Sequence, residues 1–479
     1  MSSRQMPLTL LSLRLFATLL LTTAAYAAEQ PPVKVYILSG QSNMVGIGEV
    51  GPGGMSRFNT YVSAEEDAEQ GSTLSIYAGE YDPDVNYDQR KPIETHQVRL
   101  GYWPHQSFPT LDKPCTSIIR GYIRIRRPGR YSFRTSGDSF LEIDGEEVHR
   151  RNPGEEQVTK IVKLNEGTYP IKATYFGRSR SYLAHSFFDL PGSLFAVVKE
   201  QGKYPFLLDD DGEWASRDDV WYRGVVTAGA NKWLSVGCGA GDNKIGPELG
   251  FGWELGDYHE KPVLILKTSQ GNRSLGWDFL PPGSERFEHD GYVYAGYKES
   301  PSRWEKGTDP EPIGWYAGKQ YDDCVGAAKE VLADFDERFP HWKGRGYEIA
   351  GFAWWQGHKD TGNDAHAQRY EQNLVNLIAA LRKDFDAPHA PFVIATIGFG
   401  GFEMGGNTLA VAQAQLAMND YEKRPEFRGN VKTVDIRKFW PRADESPKNQ
   451  GYHYHQNAET YWNVGQAMGQ GMVELLEGK

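Results

Sequence analysis

In "VYILSGQSNMVG" (35–46) a serine, Ser42, follows a short apolar run, with Gly40 before it and Gly46 after. A hydroxyl on such a turn can attack an acyl carbon once a base removes its proton. Two histidines, His453 and His455, stand together in "GYHYHQNAETYWNVG" (451–465), ahead of a helical pattern. An acyl-transfer oxyanion also needs donors already aimed at it. The Ser42 backbone N–H is one candidate. The backbone at Gly271 and Asn272 in "SQGNRSLGWDF" (269–279) is a second, since glycine lets the chain approach closely. The Gln356 side-chain amide in "WWQGHKDTG" (354–362) is a third. Each feature also has a structural reading: a glycine-flanked serine can simply make a turn, and Gln356 can tie down a loop. Their joint placement after successive strands is what favours chemistry.

Those strands belong to an α/β texture. Apolar runs at 33–39, 261–269, 347–356, 390–399 and 430–436 read as buried strands. Helical patterns at 318–339 and 366–385 lie between them, the second with Tyr370, Leu374, Leu377, Ile378, Leu381 and Phe385 on one face. Such alternation predicts a central parallel sheet wrapped by helices, with sites beyond the carboxyl ends of the strands. Residues 74–195 differ. "GYIRIRR", "RYSFRTS", "SFLEIDG" and "TYPIKATYF" alternate apolar and polar residues at period two, and Asp144-Gly145 is a hairpin signal. This predicts an antiparallel β-sandwich inserted into the α/β host, whose parts are then 28–73 and 196–479.

The 479 residues are 39% hydrophobic and 24% charged, enough for a large core. Aromatics reach 13%, as is common where sugar rings are handled. The net charge of −11, without a basic patch, argues against a nucleic-acid partner. Arg4 and Arg14, the run "LFATLLLTTAA" and "AYA" (Ala25–Ala27) form an export signal, expected to be cleaved near Ala27. The mature chain is then soluble, periplasmic or extracellular, with no membrane span. Cys115, Cys238 and Cys324 allow one disulfide at most, or buried free thiols. No His/Cys/Asp cluster has metal-ligand spacing, so neither metal nor cofactor is expected.

"LSGQSNM", "WWQGHKD", "GNRSL" and "IGPELGFG" (245–252) together resemble the sialate O-acetylesterase-like branch of the SGNH hydrolases, which includes carbohydrate esterase family six. The resemblance covers about 33–50 and 205–475. It implies an SGNH-hydrolase-like three-layer fold and a serine esterase that removes O-acetyl groups from carbohydrates. Ser42 is then the nucleophile, and the Gly271 and Asn272 backbone with Gln356 completes the oxyanion hole. Two positions depart from the family pattern. Gln450 and Tyr452 stand three residues before His453 and His455, where the family often has Asp, and His358 replaces a Glu. His453, further before the helix, is the preferred base and His455 the alternative. Asp360 is the candidate orienting acid, with Asp435 behind it; a dyad is the other possibility. A serine hydrolase for other esters and a non-catalytic sugar-binding protein are the rival readings.

The insert resembles the sugar-binding module of the anthrax protective-antigen type, on "AGEY" (78–81), 126–148 and 164–176. That implies glycan binding, with a structural spacer as the alternative. Calcium-holding members often show paired Asp residues, whereas "SGDSF" has the single Asp138. Trp103 and the tyrosines of the insert are candidates for stacking on sugar rings.

Overall fold

The computed structural model describes residues 30–54, 59–62, 71–98, 114–135, 137–176 and 183–478. The export signal (1–27) and Trp103 lie outside the described residues. The α/β body is built on a seven-stranded sheet. In chain order its strands are β1 (Val33–Gly40), β2 (Ser216–Gly224), β3 (Asn231–Ser235), β4 (Val263–Lys267), β5 (Tyr347–Trp355), β6 (Phe392–Ala395) and β7 (Val431–Val434), and their spatial order is β3-β2-β4-β1-β5-β6-β7. All neighbours are parallel except the edge pair β2–β3. Strand β1 runs through the middle, pairing Leu38 with Lys267 on one side and Gly40 with Trp355 on the other. Burial on both faces explains why β1, β4, β5 and β6 read as continuous apolar runs.

Five longer helices cover the two faces: α1 (Glu248–Tyr258), α2 (Lys319–Ala333), α3 (Asp364–Asp384), α4 (Gly406–Leu416) and α5 (Ala458–Leu476). Val33, Val35 and Ile37 of β1 pack with α2, α3 and α4; Tyr36 and Leu38 pack with α1 and α5. The result is the expected three-layer α/β architecture. The adjacent Trp354 and Trp355 are fully buried, one in each core. All three cysteines are buried and free.

Two antiparallel sheets form the sandwich. One has the strands Val158–Thr159, Glu146–Arg151, Ser139–Ile143, Gly167–Phe176, Cys115–Ile125, Ser72–Ala78 and Glu94–Val98 in that spatial order, with Asn59–Val62 also paired to Cys115–Ile125. The other has Ile161–Leu164, Gly129–Thr135, Leu183–Phe187 and Gly53–Gly54. Strands from ahead of residue 74 thus take part in both sheets. Asp144 and Gly145 join two strands with φ of 52° and 78°, the left-handed pair a tight hairpin requires. The Phe195 N–H donates to Val50 O at 2.9 Å, so the chain leaves and rejoins the α/β body side by side.

Candidate active site

Ser42 opens a single helical turn, Ser42–Val45, directly beyond the carboxyl end of β1. The turn is tight because Gly40 (φ 150°) lies against β5: a Cβ there would come within 2.2 Å of Trp355 O. The turn is also held from behind. Lys267, at the end of β4, and Glu248, at the start of α1, form an ion pair at 2.7 Å with no solvent exposure. Lys267 Nζ also donates to Val45 O (2.8 Å) and Cys238 O (3.2 Å), and Glu248 Oε1 accepts the Gly246 N–H. A buried ammonium is tolerated only when its donors are matched in this way.

His453 comes from the segment Gly451–Gln456, immediately before α5. Its Nε2 lies 3.0 Å from Ser42 Oγ, while its buried Nδ1 has no hydrogen-bond partner among the described residues. Three consecutive residues after it, Tyr454, His455 and Gln456, hold φ between 47° and 59°. Such backbone costs about 1–3 kcal/mol per residue and persists only where its surroundings enforce it. The enforcement is visible. Tyr454 is fully buried against Trp355 and its OH accepts the Gly398 N–H. Asn43 donates to Tyr452 O, and Tyr461 OH donates to Asn43 Oδ1 and His453 O. The residue after the serine therefore grips the segment that carries the histidine. Burial first, then His358, Lys244 and Lys448, push the His453 imidazole down to about 4, so it is neutral at neutral pH.

Gly271 faces the serine: a Cβ on it would lie 3.7 Å from Ser42 Cβ, with no other atom close. Asn272 follows with φ 56°. Among the described residues no protein acceptor takes the N–H of Ser42, Gly271 or Asn272. These are the free donors an oxyanion needs.

Gln356 is arranged differently from expectation. It is 1% exposed, and its amide N–H groups go to Asp360 Oδ2 (2.6 Å), Arg273 O (2.9 Å) and Gln41 Oε1 (3.2 Å). A buried amide must satisfy its own donors, and nothing is left to meet an oxyanion. Gln356 instead ties the Arg273 loop to Gln41, which also accepts from the Gly357 and Lys359 N–H groups. Nor is Asp360 joined to a histidine. Its oxygens accept from Leu275 N (2.9 Å), Gly276 N (2.7 Å) and Gln356, bracing the turn that follows Gly271. Burial raises this carboxyl to about 6 against those hydrogen bonds. Asp435 is committed to Arg437. His455 accepts the Gln450 N–H at Nδ1 and packs on Trp440, away from any contact with Ser42. The geometry thus joins Ser42, His453 and Gly271 and gives the other candidates supporting contacts. Gln41, Asn43, Tyr461, Lys267 and Glu248 went unread, although "GQSNM" and "IGPELGFG" contain three of them.

The profile of the carbohydrate esterase, sialic acid-specific acetylesterase family matches residues 229–474, slightly over half the chain; Gly271, Gln356, Asp360 and His453 lie inside the match and Ser42 upstream of it. No curated protein matches in sequence. Among solved structures, an Arabidopsis thaliana protein is similar at 18% identity over 55% of this chain and 88% of its own, TM-score 0.34. A carbohydrate acetylesterase from Xanthomonas citri is similar at 10% identity over 74% of this chain and 72% of its own, TM-score 0.32. A carbohydrate esterase family 2 enzyme with a carbohydrate binding domain, from Corynascus thermopiles, is similar at 11% identity over 76% of this chain and 94% of its own, TM-score 0.28. With its three-layer α/β body and the match across the second half of the chain, this chain belongs to the carbohydrate esterase, sialic acid-specific acetylesterase family.

Proposed function

We propose that the protein is an exported carbohydrate O-acetylesterase working through a Ser42–His453 dyad. His453 Nε2 takes the Ser42 proton as Oγ attacks the acetyl carbonyl. The N–H groups of Ser42 and of the Gly271–Asn272 backbone meet the oxyanion. The imidazolium then protonates the departing sugar oxygen, leaving acetyl-Ser42. Water, deprotonated by the same imidazole, releases acetate and restores the serine. The observation that carries this reading is the 3.0 Å contact between His453 Nε2 and Ser42 Oγ beside Ser42 and Gly271 N–H groups that no acceptor takes among the described residues. Export rests on the sequence of the first 27 residues, and glycan binding by the sandwich on its resemblance alone. Ser42→Ala is expected to abolish acetate release from O-acetylated sugars while circular dichroism and the melting temperature stay as in wild type. Wild-type turnover by the folded variant would sink the mechanism.

A further inference from the structure

An open cleft of about 480 Å³ lies between the turn after Gly271 and the loop that leads into α3. Asn272, which lines it, directly follows Gly271, the residue that faces Ser42. His358 lines it too, stacked on Tyr452 (ring centroids 5.6 Å), the residue before His453. Two of its lining residues, Asn272 and His358, thus neighbour Gly271 and Tyr452 beside the reacting pair. The half-buried Trp277 ring and the His366 imidazole complete the lining that concerns us.

His366 is only 8% exposed, yet neither ring nitrogen has a protein partner among the described residues; only its backbone N–H is used, on Asn363 Oδ1. The ring is pressed against the chain, since a Cβ on Gly276 would come within 2.4 Å of it. Burial is the main cause that holds its pKa down to about 4. Burial also lowers the pKa of His358, whose ring nitrogens likewise have no protein partner. A neutral imidazole offers one N–H donor and one nitrogen acceptor. A sugar hydroxyl donates and accepts in the same way, and the C–H face of a pyranose suits an indole.

We propose that this cleft holds the ring of the acetylated sugar, with His366 and His358 hydrogen-bonding its hydroxyls and Trp277 against its apolar face. This deepens the esterase reading and rests on it. The test compares kcat/KM for mono-O-acetylated methyl glycosides of glucose, galactose, xylose and N-acetylneuraminic acid with that for n-butyl acetate, following acid release. In His366→Phe the ratio of the best glycoside to butyl acetate is expected to fall about tenfold, mainly through KM, the scale of one buried hydrogen bond. His366→Gln, which keeps a donor and an acceptor, should recover most of the ratio. His358→Ala should lower it as well, and reads the same cleft if His366→Phe does not fold. An unchanged ratio in the folded variants overturns the subsite and leaves the esterase reading standing. Wild-type protein that cleaves butyl acetate and none of the glycosides overturns both.

Discussion

An imidazole with nothing on its Nδ1 gains no help in carrying a proton, and among the described residues His453 is in that position. Its pKa is low because burial and neighbouring cationic groups disfavour the imidazolium. The working form of a general base is the neutral one, so activity must fall as pH drops through the folded pKa. For an uncharged ester, kcat/KM is expected to stay level from about pH 8 to about pH 5 and to fall tenfold per unit below about pH 4. A limb near pH 6.5, the ordinary imidazole value, would show that burial and the neighbouring groups do not hold His453 down in solution. His453→Ala is expected to lower kcat about a thousandfold or more, the scale of losing such a base. His455→Ala should cost far less, since its Nδ1 only accepts the Gln450 N–H; stopped assays on one small ester rank the two. The meeting of Ser42, Gly271 and His453 in the candidate site was legible in the sequence, because they follow strand ends and are marked by glycine or by a second histidine. The partners of Gln356 and Asp360 were not legible, for a physical reason. Residue type shows that a buried amide and carboxylate need partners, but only packing decides that the partners are Gln41, Arg273 and the Leu275–Gly276 amides.

Among elements, the serine turn depends on what stands behind it. Removing one member of a buried ion pair strands the other, at a cost of about 3–5 kcal/mol, whereas replacing both by apolar residues can be neutral. Lys267→Met is accordingly expected to lower the melting temperature sharply, and Lys267→Met/Glu248→Leu to restore much of it. The double variant still leaves Val45 O and Cys238 O without their donor, so its kcat should remain about tenfold or more below wild type, the range for a slightly misplaced group. Full recovery of both stability and kcat would reduce the pair to a packing feature. Strands β1, β4, β5, β6 and β7 and helices α2 and α3 were readable from their apolar runs and helical spacing. Strand β2 was not, because "SRDDVWYRG" places Arg217, Asp218 and Asp219 in its first half. Helix α1 escaped because "ELGFGWELGDY" is rich in glycine, a poor helix former. The structure supplies the reason: a Cβ on Gly250 would come within 2.5 Å of Trp462 O, and one on Gly465 within 2.1 Å of Pro247 O. Small residues on α1 and α5 let the two helices pack closely behind the segment that carries His453.

For the molecule as a whole, the sandwich leaves and rejoins the α/β body side by side. Ser186 pairs with Gly54 and Phe187 with Gly53, so a short bridge from Pro52 to Phe188 can close the α/β body. Replacing residues 53–187 with a Gly/Ser linker is expected to keep turnover of a small soluble ester and to weaken turnover of an acetylated polymer, as the loss of a second attachment lowers effective concentration. Equal loss on both substrates would mean that the insert shapes the active site. The sandwich was legible from its period-two pattern and its Asp-Gly turn. Its leading strands were not, since Gly53–Gly54 and Asn59–Val62 are too short to show a period. The neighbouring crossings at Val50 and Phe195 also have a mechanical consequence. If the sandwich is fastened to a polymer under drag, the force reaches the esterase body through two adjacent chain crossings, with the Arg130–Glu200 ion pair as a further link, and draws both crossings in the same direction. Such a load tugs the body as a unit and does not stretch the chain between its first strand and the rest of its sheet. An enzyme towed along a moving surface can thereby keep Ser42 and His453 in register under tension.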